Sequence, residues 1–380
     1  MTTTINNEHK KLNVPNLRFP EFQGVWKEER LADIAKFYKG TGIPKDQLSD
    51  EGEPCILYGE LYTKYKSETI GKVISKTNID NTKLVKSKTN DVIIPCSGET
   101  AEDIATARCV LNDNILLGGD LNIIRLHGYD GTFMSYQLNG KRKYDIARVA
   151  QGVSVVHLYG EHLKGVKTIN PCLEEQKKIA NLLSLLDERI ATQNKIIEKL
   201  QSLIKGLAVT LTTKGKPNTT ISQCLECHSS TLQESEVSPN GLYKVFGANG
   251  LVGYTDVPQM NGDSILVIKD GSGVGTASYA QGKFSVIGTL NYLTVLGNNN
   301  LRYLYFALSV FNFQSYKTGM AIPHIYFKDY GNAKIYCPSL TEQKRVANML
   351  DKMESKLFLE QELLASFNSQ KRYLLGQMFI

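Results

Sequence analysis

The 380-residue sequence lacks any apolar run long enough to cross a bilayer. Its opening stretch, MTTTINNEHKKLN, lacks the apolar centre of a secretory signal. A cytoplasmic protein without a membrane partner is therefore expected. The seven cysteines are scattered and odd in number, which suits a reducing compartment and argues against a disulfide framework. Neither sign of charge dominates: 44 basic against 38 acidic residues leave +6, which permits a polyanionic partner without requiring one. The length allows two to four domains.

Signatures of catalysis are missing as well. No glycine-rich S-adenosylmethionine loop follows a strand. NPCL (170–173) keeps only part of the Asn-Pro-Pro-aromatic motif of amino-methyltransferases, and its proline reads better as a helix lead-in. DGSGVGT (270–276) has no Lys-Ser/Thr ending and no helix after it, so it reads as a turn that could approach a ligand. CLECH (224–228) has the spacing of a haem attachment site without the exported context, and no further ligands are spaced for zinc. His157 and His324 belong to no serine–histidine–acid signature and read as structural. Helix-turn-helix and zinc-finger spacings are absent too. The chain is expected to catalyse nothing and to bind no metal or cofactor.

What is present is a repetition. LEEQKKIANLL (173–183) returns as LTEQKRVANML (340–350), 167 residues later. Without a gap, Gly152 meets Gly319, His157 meets His324, Tyr159 meets Tyr326 and Pro171 meets Pro338. From 152 to 183 there are twelve identities in 32 positions. The period is too long for a solenoid repeat. It reads as duplication of a whole domain with its connector.

Each copy leads into a helix. Apolar residues fall at Ile179, Leu183, Leu186, Ile190, Ile197, Leu200, Ile204, Leu207 and Leu211, and again at Val346, Leu350, Met353, Leu357, Leu364, Phe367, Leu374 and Met378. Spacing alternates between four and three, the seam of a coiled coil. Gln193 interrupts the first seam, and Glu360 and Lys371 the second; Glu360 lies 167 residues after Gln193. Such helices, about 55 Å long at 1.5 Å per residue, need a partner for their stripe, and each is the other's nearest candidate. The alternative is that each packs on its own domain.

The chain then divides into an N-terminal tail (1–13), a first mixed block (14–169), a spacer helix (170–214), a second block (215–336) and a second spacer helix (337–380). DVIIP (91–95), NILLGGDLNIIRL (114–126), DSILVIKDGSGVG (263–275) and FSVIGTLNYLTVL (284–296) read as strands. ILYGELYT (56–63) loosely echoes KVFGANGLVGYT (244–255). LYTKYKSETIGKVISKTNIDNTKLVKSKTN (61–90) holds seven lysines against two acids, and KRKYDIAR (141–148) adds four cations. Such residues would neutralise phosphates while tyrosine, asparagine and serine reach base edges; the plainer reading is a solvated lysine face.

With these residues in view, the chain resembles a type I restriction–modification specificity (S) subunit over nearly its whole length. The likeness is carried by PNLRFPEFQGVWKEERLADIAKFYKG (15–40), by both Pro-x-Leu-x-Glu-Gln-Lys helix entries, by the Gly-x-x-x-x-His segments before them and by the order block, helix, block, helix. It departs at the start of the second block, where TTISQCLECHSS (219–230) replaces the Trp-x-x-x-x-Leu pattern. The resemblance implies an α+β chain with a pseudo-two-fold internal repeat. Two α/β target-recognition domains would be joined and spaced by two long helices in an antiparallel coiled coil. Each domain would read one half of an asymmetric, bipartite site in double-stranded DNA. The chain itself would be non-catalytic. It would dock two methylation subunits, which carry S-adenosylmethionine, and restriction subunits, which carry ATP and Mg.

On that reading the expected DNA contacts are Tyr58, Tyr62, Lys64, Lys141 and Arg142 in the first domain and Lys244, Asn249, Lys269 and Lys317 in the second. The expected docking residues are Glu175, Gln176 and Lys177 with their copies Glu342, Gln343 and Lys344, which alternatively only complement the helix dipole. Lengthening the helix by one heptad is expected to lengthen the unread gap. The rival readings are a coiled-coil scaffold that pairs two proteins without reading DNA, and a self-contained enzyme, for which the chain has no room.

Overall fold

The computed structural model describes residues 13–80, 83–152 and 155–380; the expected tail therefore lies, except for Asn13, outside the described residues. Residues fall into two compact units, Met1–Thr192 with Leu364–Ile380, and Gln193–Leu363.

In the first unit a five-stranded sheet is centred on Asp91–Pro95. Its neighbours are Leu121–Leu126, which also pairs with Ala35–Lys39, and Arg108–Val110, which also pairs with Thr69–Ile70. All five residues of Asp91–Pro95 are buried. Successive strand residues face opposite ways. Accordingly Val92 and Ile94 enter one core with Leu31, Ile124 and Met134, while Ile93 enters another with Ile56, Leu61 and Val110. The second unit repeats the device with Ser264–Ile268: Ile265 and Val267 pack on one side, and Leu266 and Ile268 on the other. Its sheet runs Leu225–Ser229, Leu290–Val295, Ser264–Ile268, Ala277–Ala280.

Two runs expected to be single strands are cut in two, each at glycine. NILLGGDLNIIRL breaks at Gly118-Gly119-Asp120, with Asp120 at φ 59°. Leu116–Leu117 then pairs in parallel with Cys55–Ile56 in a separate four-stranded sheet. FSVIGTLNYLTVL breaks at Gly288, and Lys283–Val286 pairs in parallel with Tyr243–Gly247, again in a second four-stranded sheet. A glycine allows one apolar run to serve two sheets because the chain can pass close to its neighbour. A Cβ on Gly40, beside the first break, would lie 1.9 Å from the Gly118 carbonyl oxygen.

The departure at the start of the second block does not extend to structure. In the first unit, strand Lys27–Arg30 pairs with Lys167–Asn170 and leads through the short helix Leu31–Ile34 into Ala35–Lys39. In the second, Thr219–Thr220 pairs with Lys334–Ile335 and leads through Ile221–Cys224 into Leu225–Ser229. Trp26 packs on Phe133 in the first unit. In the second, the buried Tyr303 donates to the Tyr336 carbonyl (2.8 Å) and closes the comparable corner. CLECH is part of this helix and strand. Cys224 is buried, and His228 lies 2.9 Å from the Thr294 hydroxyl and stacks on Tyr292.

The long helices span Leu173–Thr212 and Leu340–Met378, 40 and 39 residues, or about 60 Å each at 1.5 Å per residue. In the first unit, Ile179 and Leu183 near the start of one pack with Met378 and Phe379 at the end of the other. In the second, Ala208 near the end of one packs with Val346, Ala347 and Leu350 near the start of the other. The pair is antiparallel.

The polar interruptions explain themselves in this arrangement. Gln193 Nε2 donates to Glu360 Oε2 (2.6 Å) and to the Glu360 carbonyl (2.9 Å). A residue that meets its own copy marks the midpoint of an antiparallel pair. Lys371 is held by Glu68 (2.8 Å) and Asp187 (2.7 Å), and Tyr136 donates to the same aspartate (2.7 Å). This buried network ties both helices to the first domain.

Candidate nucleic-acid interface

The helix entries come first because they place everything else. Gln176 Nε2 donates to the Pro171 carbonyl (2.8 Å), and its Oε1 accepts from the Asp130 backbone N–H (2.9 Å). Gln343 does the same with Pro338 (2.8 Å) and Asn300 (2.8 Å). Asp130 and Asn300 are themselves N-caps, accepting from the N–H of Phe133 and Tyr303 at 2.8 Å. Asp130 opens the helix Gly131–Asn139, and Asn300 opens Leu301–Ser309. One glutamine thus locks each long helix to the capped helix of its domain.

The neighbouring glutamates hold the chain as it enters each domain. Arg18 grips Glu175 with two bonds of 2.7 Å, and Lys214 and Arg345 grip Glu342.

Most polar atoms of the expected docking set are therefore engaged within the chain. Glu175, Gln176 and Gln343 are 0%, 1% and 2% exposed, and their polar atoms are used inside the chain. Glu342 is partly buried under its two cations. Only Lys177 and Lys344 of that set stand free to solvent. A buried carboxamide with two backbone partners is constrained to repeat whether or not a partner also docks there.

In the first domain, Tyr58, Tyr62 and Lys64 come together on one cavity of about 1180 Å³, with Leu57, Ser97, Gly98 and Asp120 also in its wall. The Tyr62 hydroxyl donates to the Ser97 carbonyl (3.2 Å), and burial pushes its phenol above the usual range. Lys64 bonds the buried Glu60 and Ser75, both at 2.7 Å, so part of its donor capacity is already used. Lys141 and Arg142 are not in that wall. Lys141 is exposed, while Arg142 bonds Asp145 (3.3 Å) and the Ile380 carbonyl (3.0 Å) and so anchors the end of the second helix.

In the second domain, Lys244 and Asn249 are exposed on the strand Tyr243–Gly247 and on the turn after it. Lys269 and Lys317 converge on one hairpin. The Lys269 carbonyl accepts from Ile325 N–H (2.9 Å), and Lys317 precedes Thr318, which pairs with His324. Among the described residues, no cluster of three His, Cys, Asp or Glu is placed to hold a metal, and no helix is long and apolar enough to cross a membrane.

Two mixed domains of one architecture, each packed on the end of a helix pair, define a duplicated two-domain scaffold. The type I restriction modification DNA specificity domain matches the chain twice, over residues 24–202 and 224–368. The chain belongs to this family. It is 30% identical over 200 residues to the MjaVIII type I restriction enzyme specificity subunit of Methanocaldococcus jannaschii, covering 52% of this chain and 44% of that one. It is 25% identical over 114 residues to the EcoprrI specificity subunit of Escherichia coli, covering 30% and 28%. The matched stretch thus spans less than half the length of these relatives. The crystal structure of a type I restriction–modification S subunit from M. genitalium shares the fold, with a TM-score of 0.71 at 19% identity over 97% of this chain and 99% of that one.

Proposed function

We propose that the chain is the non-catalytic, sequence-reading subunit of a cytoplasmic type I restriction–modification complex. Each domain reads one half of an asymmetric, bipartite site in double-stranded DNA, and the helices set the unread gap. The observation that carries this reading is the contrast within the duplication. The buried helix entries repeat their residues and bonds, as in Gln176 and Gln343, while the loops around Tyr58 and around Lys244 differ in length and sequence. A common frame with divergent loops suits two related binding tasks with different targets.

In this reading Tyr58, Tyr62 and Lys64 meet DNA at the first cavity, and Lys141 and Arg142 meet it from the domain's second basic stretch. Lys244, Asn249, Lys269 and Lys317 meet it in the second domain. Two methylation subunits, carrying S-adenosylmethionine, dock on the helix pair, and restriction subunits supply ATP and Mg chemistry. Lys177 and Lys344 remain for such docking, together with the apolar residues that the helices leave exposed. They include Leu185 and Tyr373 in the first unit, and Leu203, Phe358 and Leu359 in the second.

The test is to express the chain with its methylation subunit in a host without other adenine methylation and to sequence the genome for modified adenines. A two-part motif with a fixed gap is expected. An assembled complex that leaves the genome unmodified would favour the scaffold reading.

A further inference from the structure

In their separate units, Gly152 with Val155–Tyr159 and Gly319 with Ile322–Tyr326 share one backbone pattern. Gln151 and His157 exchange both backbone hydrogen bonds, at 2.8 and 2.6 Å; Thr318 and His324 do so at 2.9 and 2.8 Å. Each turn passes through a glycine at positive φ, 123° at Gly152 and 86° at Gly319. A Cβ there would lie 2.1 Å from the Val155 carbonyl oxygen or 2.4 Å from that of Ile322. Each histidine is then bridged to the loop that leaves the central strand: His157 to Ser97, and His324 to Asp270.

Past the histidine the burial pattern repeats too. Leu158 and Ile325 fill the cores at 0% and 1% exposure, whereas Tyr159 and Tyr326 stand 50% and 48% exposed. In each the histidine ring adjoins the tyrosine ring, near-parallel with centroids 6.2 Å apart in the first and edge-on at 5.0 Å in the second. The core residues repeat because the cores repeat. Beyond these ring contacts the half-exposed tyrosines have little packing to preserve, and the loops they adjoin have diverged, SGET (97–100) against DGSG (270–273). A surface residue that stays while its neighbours change faces something common to both targets.

We infer that the two turns grip the sugar–phosphate backbone of DNA without regard to sequence, one at each half-site. The Tyr159 and Tyr326 hydroxyls donate to phosphate oxygens, and His157 and His324 act as positioning residues. This rests on the DNA-recognition reading above. Phosphates are the part of two different half-sites that is chemically the same. Cations lie close in sequence, the exposed Arg148 before the first turn and Lys317 before the second, and Lys328 sits 5.2 Å over the Tyr326 ring. Val155, in the first turn, also lines the cavity that holds Tyr58, Tyr62 and Lys64, so the constant contact adjoins the variable one.

The test uses the complex of full chain and methylation subunits, with Tyr159→Phe, Tyr326→Phe and the double variant, each of which removes only a hydroxyl. Affinity is measured over a range of salt for DNA with and without the target. Each single variant should weaken both DNAs by the same factor, about tenfold, and the double by the product. The slope of log affinity against log salt should stay unchanged, since no charge is removed. The methylated motif should stay the same. A loss confined to target DNA, or one relaxed base in the motif, would mean base contact and overturn the inference. Full DNA affinity would also overturn it, and if methylation subunits no longer assembled, the turns would be protein-docking sites. A wild-type complex that binds no DNA would instead sink the recognition reading, before any variant is compared.

Discussion

In the first unit the strand Glu53–Ile56 runs into a short helix, Glu60–Thr63, and a cavity opens beside it. In the second, the equivalent strand Tyr243–Gly247 folds directly back as the hairpin Gly250–Thr255. The sheets beneath agree: each strand has a parallel neighbour delivered by an apolar run cut at glycine. The ion pairs at the helices differ in the same manner. Asp187 and its copy Glu354 both accept a cation, but Lys371 of the long helix supplies it in the first unit and Arg302 of the domain's own helix in the second. The duplication has kept acceptors, caps and strand positions, and has let the donors and loops move.

The comparison breaks most visibly at those cations. Lys371→Ala leaves Glu68 and Asp187 without their counter-charge in a buried setting and should cost about 3–5 kcal/mol. Arg302→Ala should cost less, because Asp351 and Glu354 are more exposed. Urea unfolding of both variants gives the ranking, and equal losses would mean that the two networks serve alike.

Next come Leu183 and Leu350, copies of one another and each 0% exposed. Alanine at either should cost about 2–5 kcal/mol, and the two losses should agree if the packing is equivalent. Gln176→Ala and Gln343→Ala each strand a buried carbonyl and an N–H, and should cost about 1–3 kcal/mol. Here the measurement is thermal unfolding with a check that methylation subunits still assemble. If assembly failed while stability held, the docking role would return to these residues.

The smallest effect is acid dependence. Hydrogen bonds from Arg345 and then Lys214 hold the Glu342 carboxyl down at about 2, below its ordinary 4.5. Its contribution is present above the ordinary value and fades as pH falls toward about 2. Glu342→Gln should therefore lower stability slightly at neutral pH and flatten the acid limb, the two proteins converging as pH falls toward about 2.

The repeat was legible because a heptad seam and a run of identities survive in a single sequence. Lys371 read only as a gap, since its partners Glu68 and Asp187 are remote in the chain. The cut in NILLGGDLNIIRL was missed because apolar periodicity does not register that Gly118-Gly119 can send two halves to two sheets. The start of the second domain was obscured because Thr220-Ile221 and Arg30-Leu31 share position without sharing side chains. Of the site, the basic stretches were legible. The turns at Tyr159 and Tyr326 were not read as a surface, because identity alone does not tell a core position from an exposed one.

The meeting of Gln193 with Glu360 also governs which helices choose each other. Two copies of the first helix would set amide against amide at the crossing point. Two copies of the second would press carboxylate on carboxylate in a largely covered seam and repel. Only the mixed pair gives the amide a charged acceptor. A duplicated gene whose halves began as equals has thereby acquired, at a single position, a preference for its own other half over a stranger's.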